Sequence, residues 1–141
     1  MIELVFVIVV LGILAAIAIP RLAATRDDAQ IAKGRSDVAA VRSAIVSERQ
    51  GRLLQGNSQY INQLHNSSTT SILFDGNGSS TLLQYGIQAE NKNGHWRLDN
   101  GKYVFKVMNV DVPFTYTSTN GKLDCNTTDG TSGAMCKALV Q

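Results

Sequence analysis

The stretch MIELVFVIVVLGILAAIAIP, Met1 to Pro20, decides the fold. From Leu4 to Pro20 it carries no charged residue. A segment that is apolar on every side has no polar face to offer water, so it is buried in lipid or among other helices. As a helix rising about 1.5 Å per residue, a run of this length covers most of a bilayer's hydrocarbon thickness. Glu3 breaks the pattern: a carboxylate inside such a run is costly and points to a function with a partner. A cleavable signal peptide would place basic residues before the run and a small-x-small site after it. Nothing basic precedes this run, and Pro20-Arg21-Leu22 follows it, so the segment reads as retained.

Outward from Pro20, RLAATRDDAQIAKGRSDVAAVRSAIVSERQGRLLQ reads as an amphipathic helix. Leu22, Ile31, Val38, Val41 and Ile45 recur at helical spacing, with Asp27 and Asp28 off the stripe. Glu48 and Arg52 form a favourable i, i+4 pair. Gly34 costs up to about 1 kcal/mol against alanine, yet the pattern runs through it. Gly51 and Gly56-Asn57-Ser58 are stop signals. Residues 1–24 are thus expected as a transmembrane or core segment and 25–54 as a stalk, a helix of about 80 Å in all. Half of it has no room to fold against a domain this small and needs lipid or other subunits. Pro20 removes one backbone donor and crowds the carbonyl of Ala16, and Gly12 lowers helix propensity, so the helix is expected to be non-helical or broken between Gly12 and Pro20 in the filament.

Residues 55–93 are loop-like, with Asp75-Gly76 and Asn77-Gly78 as turns and short apolar groups to pin them onto the helix. Residues 94–141 read as an antiparallel meander. His95–Leu98, Tyr103–Met108, Phe114–Ser118 and Lys122–Cys125 are the strands, with hairpin turns at Asn100-Gly101 and Asn120-Gly121. Pro113 is expected at an edge or a strand start. The fold class is α+β: a long N-terminal helix packed on a small antiparallel sheet. The chain has 141 residues, enough for one domain plus an anchor, and its net charge of +2 is too small to imply nucleic acid. Cys125 and Cys136 lie close together without further zinc-type ligands nearby. A disulfide closing a short loop, in an oxidising compartment, is the better reading, and two free thiols in the cytosol the alternative.

The run MIELVFVIVVLGILAAIAIP with Arg21 after it resembles the N-terminal segment of type IV pilins and the related pseudopilins, with Glu3, Gly12 and Pro20 in family register. The match covers roughly the first 25 positions. In that family the glutamate lies near an N-methylated phenylalanine terminus; this chain starts at Met1 instead. The resemblance implies cleavage by a prepilin peptidase, a pool of subunits in the inner membrane, extrusion by a separate ATP-driven assembly machinery, and a helical homo-oligomeric filament outside the bacterial cell. It implies that the segment from Gly12 to Pro20 melts when the subunit leaves the membrane. It also places the stalk outside, although Arg21, Arg26, Lys33, Arg35, Arg42, Arg49 and Arg52 outnumber the acids between Arg21 and Leu54 and would otherwise favour the cytoplasmic side.

Glu3 is the sharpest candidate residue, a carboxylate held for a neighbouring subunit's terminal amine so that two costly charges cancel; the plainer account is a residue solvated at the membrane edge. Arg35, Arg42 and Arg49 repeat every seven residues along one helix face. They could meet phosphates, but no aromatics are interleaved for base stacking, and a solvated face is the usual outcome. Asp124 to Gly130 resembles the opening of a calcium loop, but the glycine comes one place late and no closing glutamate follows, so no metal is expected. His65 and His95 are isolated in the sequence. Asn66, Asn77 and Asn126 begin N-glycosylation patterns that arise easily in so Asn- and Ser-rich a chain. No G-x-S-x-G, P-loop or H-E-x-x-H occurs, so neither an enzyme nor a cofactor is expected. Three readings remain: a major pilin for adhesion, twitching motility or DNA uptake; a major pseudopilin of a type II secretion system; and a bitopic anchored binding module. The disulfide loop favours the pilin, because major pseudopilins typically carry a calcium site.

Overall fold

The structure, a computed structural model of the chain, describes residues 2–141, and for residues 19–24 the backbone alone. It is α+β, with an N-terminal helix and a small antiparallel sheet. Helix α1 (Ile2–Leu54) spans 53 residues, about 80 Å at the standard rise. It continues without interruption through Gly12 and Pro20. The helix break expected there is therefore not a property of the single chain. A proline removes one donor and crowds one carbonyl, but the helical bonds on either side carry α1 through it.

A two-residue ribbon, β1 (Ile72–Leu73) against β2 (Ile87–Gln88), pairs Ile72 with Gln88 and Leu73 with Ile87. Four strands then form the meander in chain order: β3 (His95–Asp99), β4 (Lys102–Val107), β5 (Val110–Thr117) and β6 (Lys122–Cys125). A second helix, α2 (Gly130–Val140), closes the chain. From the sequence only a disulfide-closed loop is expected there. Its apolar positions, Met135, Cys136, Leu139 and Val140, are too few to show a helical period unaided.

The hairpin tips explain the register. Asn100 and Gly101 both have positive φ, 47° and 75°, the geometry of a two-residue hairpin turn whose twist matches the strands it joins. The β4–β5 turn uses Met108 and Asn109, at 51° and 62°, so Met108 belongs to a turn and not to the strand expected to contain it. β5 starts earlier than Phe114, and Pro113 lies within this interior strand, a correction to the expected edge or start. It is tolerated because β6 stops at Cys125, opposite Phe114, so Pro113 has no ladder neighbour on that side.

One face of the sheet carries Trp96, Tyr103, Phe105, Val112, Phe114 and Leu123 onto α1 and the connecting segment, and all are buried. The stalk meets it with Val38, Val41 and Ile45, flanked by half-buried Ile31. Trp96 is the hub. Its ring lies 5.1 Å from Phe74 edge-on, 5.0 Å from Phe105 and 5.2 Å from Phe114, within the range where aromatic pairs attract beyond simple burial. Its indole N–H donates to Asp37 of α1 at 3.0 Å. Burial pushes the Asp37 carboxyl pKa up, against the pull of that hydrogen bond and of Lys33. Gly34 faces the same packing: a Cβ there would come within 2.5 Å of Leu139 Cδ2 and 2.6 Å of Phe105 Cε1. The residue that lowers helix propensity is thus what lets α2 and β4 approach the helix.

Candidate assembly surface

The N-terminal part of α1 has no cover. Phe6 is 68% exposed and Ile13 59%, whereas Val41 further along the same helix is 0% exposed. All side chains described from Ile2 to Ala18 are exposed, on every side of the helix. Glu3 is the lone acid of the first turn, where the helix macrodipole favours a negative charge. Among the described residues it makes no ion pair. A Cβ on Gly12 would meet nothing within 4 Å, so nothing in the single chain requires glycine there. Among the described residues no helix is long and apolar enough to cross a membrane. The expected transmembrane or core segment, residues 1–24, includes residues 19–24, whose side chains lie outside the described residues.

The arginine row is accounted for by the head. Arg35 Nε donates to the carbonyl of Ala138 near the end of α2. Arg42 donates to the carbonyl of Leu123 from Nε (3.1 Å) and Nη2 (2.9 Å), and pairs with Asp124 at 2.8 Å. The Arg49 guanidinium lies 3.9 Å from the centre of the Tyr60 ring, a cation–π arrangement. A row spaced by seven residues therefore fastens α2, β6 and the connecting segment along one side of the stalk. All three have partners in the head, although Arg35 itself stays exposed. Arg52 pairs with Glu48, as the i, i+4 spacing implies, and also donates to Ser80 Oγ at 3.0 Å.

The cysteines form a disulfide, Cys125–Cys136, with Cα atoms 5.9 Å apart. It joins the end of β6 to α2, so it fixes a helix and not only a loop. The Asp124–Gly130 stretch is a polar turn: Asn126 Oδ1 accepts from the backbone N–H and the hydroxyl of Thr128, at 2.9 and 2.7 Å. Among the described residues, no group of three His, Cys, Asp or Glu comes together to hold a metal. Asn66, Asn77 and Asn126 each accept a backbone N–H two residues ahead, which makes all three turn formers.

Sequence reasoning missed the hydroxyl latches of the connecting segment. Tyr103 Oη accepts from the Leu64 N–H at 3.0 Å and lies 2.8 Å from His65 Nδ1, so His65 is not isolated. Tyr116 Oη donates to the Ile61 carbonyl at 2.7 Å. Burial pushes both phenols up to about 12, which keeps them as hydrogen-bonding hydroxyls at any ordinary pH. The partial signal was a pair of strand tyrosines at positions a sheet turns inward. Their partners are backbone groups of a loop, which no sequence period marks. His95 lines an open groove of about 570 Å³ between α1 and the 93–95 turn, with Arg26, Gln30 and Lys33. Lys33 Nζ already donates there to the Gly94 carbonyl.

No family model, curated protein or solved structure matches this chain.

Proposed function

We propose that the chain is the structural subunit, the major pilin, of a type IV pilus-like filament serving adhesion, twitching motility or DNA uptake. The observation that carries this reading is one uninterrupted helix with two unlike parts: an N-terminal part apolar and exposed all round, bearing Glu3 alone, and a part packed beneath a disulfide-bonded head. An isolated chain has nothing to cover the first part. Lipid covers it before assembly, and the same segments of neighbouring subunits cover it afterwards. In this reading the inner membrane holds the subunit pool, a prepilin peptidase matures it, and separate assembly proteins extrude it.

Glu3 then sets the axial position of a subunit. An unpaired carboxylate in an apolar core is unfavourable by several kcal/mol. A terminal amine of an adjacent chain is its natural partner, because residues 1–20 themselves carry no Lys or Arg. The disulfide supports a pilin over a secretion pseudopilin, the second member of the same family. In this reading the segment from Gly12 to Pro20 is helical in the membrane and melts only on entry into the filament.

Expressing Glu3→Ala alone and beside the unaltered chain, then comparing sheared filaments with the membrane fraction, tests this. The expected outcome is folded, disulfide-bonded subunits that remain in the membrane and enter filaments poorly. Assembly at the unaltered rate and yield overturns the role of Glu3. Electron microscopy showing no filament from the unaltered chain in a cell with the assembly machinery overturns the pilin reading itself.

A further inference from the structure

We infer that Asn100-Gly101, at the tip of the β3–β4 hairpin, is a site of spontaneous covalent modification, deamidation through a cyclic imide. This does not depend on the filament reading. The chain contains four Asn-Gly pairs: Asn77-Gly78, Asn93-Gly94, Asn100-Gly101 and Asn120-Gly121. Glycine after asparagine leaves the following backbone nitrogen unshielded by a side chain, so all four are chemically competent. The fold separates them.

The reaction needs two freedoms. The glycine nitrogen, having lost its proton to base, must reach the asparagine Cγ, and the side-chain amide must rotate to receive it. Attack forms the N–Cγ bond, the C–NH₂ bond breaks, and ammonia leaves. Water then opens the imide at one carbonyl or the other, to give aspartate or isoaspartate. Three pairs are restrained against this. Asn93 donates from Nδ2 to Asn109 Oδ1 (3.1 Å) and accepts from the Asn109 N–H (2.9 Å), while the Gly94 N–H is held by the Lys106 carbonyl at 2.7 Å. Asn120 accepts from the Lys122 N–H at 3.0 Å, and the Gly121 N–H donates to the Thr117 carbonyl at 2.8 Å. Asn77 accepts from Ser79 and Ser80 and donates to Asn62, at 3.1, 2.9 and 2.8 Å.

Asn100 differs on every count. Among the described residues, neither its side chain nor the Gly101 N–H has a hydrogen-bond partner. Both residues are exposed, and a Cβ placed on Gly101 would meet nothing within 4 Å. The hairpin tip itself lies at the sheet edge, because β3 is the outermost strand. The aspartate product adds a negative charge beside Asp99. The isoaspartate product also lengthens the backbone within a two-residue turn that pairs Asp99 with Lys102, which frays the tip of the hairpin.

The test is prolonged incubation of the folded full chain, in detergent at mildly alkaline pH, with conversion at each pair followed by peptide mass spectrometry and isoaspartate labelling. A parallel sample is held in denaturant. In the folded chain Asn100 is expected to convert about tenfold faster than any other pair, a barrier lower by about 1.4 kcal/mol. In denaturant all four are expected to convert at similar rates, which shows that the fold and not the sequence selects the site. Equal rates in the folded chain, another pair converting first, or an inert Asn100 in a folded chain whose denatured counterpart converts would each overturn the proposal.

Discussion

The two parts of α1 share one backbone geometry and differ in what surrounds them. From Ile2 to Ala18 the side chains are apolar at every helical angle and all are exposed. From Ile31 to Arg52 apolar side chains alternate with charged ones, and the apolar stripe of Val38, Val41 and Ile45 is fully buried under the sheet. The stripe positions are spent on the head, and the charged positions hold it in place through Arg35, Arg42 and Arg49. One part is therefore completed within the chain. The other is left exposed by the chain's own fold. Helix propensity alone does not separate them; the distribution of polarity around the axis does.

This contrast can be broken from the packed side. Trp96→Ala removes the hub that touches Phe74, Phe105, Phe114 and Asp37 at once. A loss of about 3–5 kcal/mol in head stability is expected, read by denaturant unfolding of the full chain in detergent followed by circular dichroism. A loss below about 1 kcal/mol would mean that the head is not organised around this cluster. Next in size is reduction of Cys125–Cys136, which is expected to cost about 2–3 kcal/mol in the same measurement. Because α2 packs on the stalk at Gly34, amide exchange should rise first in residues 130–140.

Two of the three glycines of α1, Gly34 and Gly12, sharpen the comparison, because the same substitution is expected to act with opposite signs. Gly34→Ala drives a methyl into Leu139 and Phe105, and overpacking of about 1–3 kcal/mol outweighs the helix-propensity gain of about 1 kcal/mol. Gly12→Ala meets nothing within 4 Å, so only the propensity gain remains and the thermal midpoint should hold or rise. Equal effects at both sites would remove the distinction between the two parts of the helix.

The smallest effect concerns pH. Burial holds the His65 pKa below 6.5, against the pull of Asp75, and its Nδ1 faces the Tyr103 hydroxyl, which already accepts from Leu64. A histidine depressed on folding adds stability that is present above its unfolded value of 6.5 and is lost as pH falls through its lower folded value. Protonation would turn Nδ1 into a donor toward a hydroxyl that until then can donate to it. A slight loss of stability below about pH 6 is expected, centred on the 61–66 segment and absent in His65→Gln. An unchanged pH profile in His65→Gln would remove this assignment.

Period-based reading reached what repeats. The apolar N-terminal run, the stripe Ile31–Ile45, the Asn100-Gly101 hairpin, the Glu48–Arg52 pair and the disulfide were all visible as local patterns. Pro113 in an interior strand, the Met108-Asn109 turn and helix α2 were not, because each depends on where a neighbouring strand ends or what packs alongside. The role of Arg35, Arg42 and Arg49 was half visible: the spacing placed them on one side of the helix, but not against the head.

By itself, the sequence determined that the first segment is apolar on every side and that the second has one face for a core, because polarity along a helix is a property of each residue and its spacing. Only the tertiary structure decided that Gly34 is a contact and not a weakness, that the arginine row is a set of clasps, and that Tyr103 and Tyr116 latch the connecting segment. Each of these is a meeting of groups far apart in the chain, and which groups meet is set by sheet register and by the space left between packed surfaces.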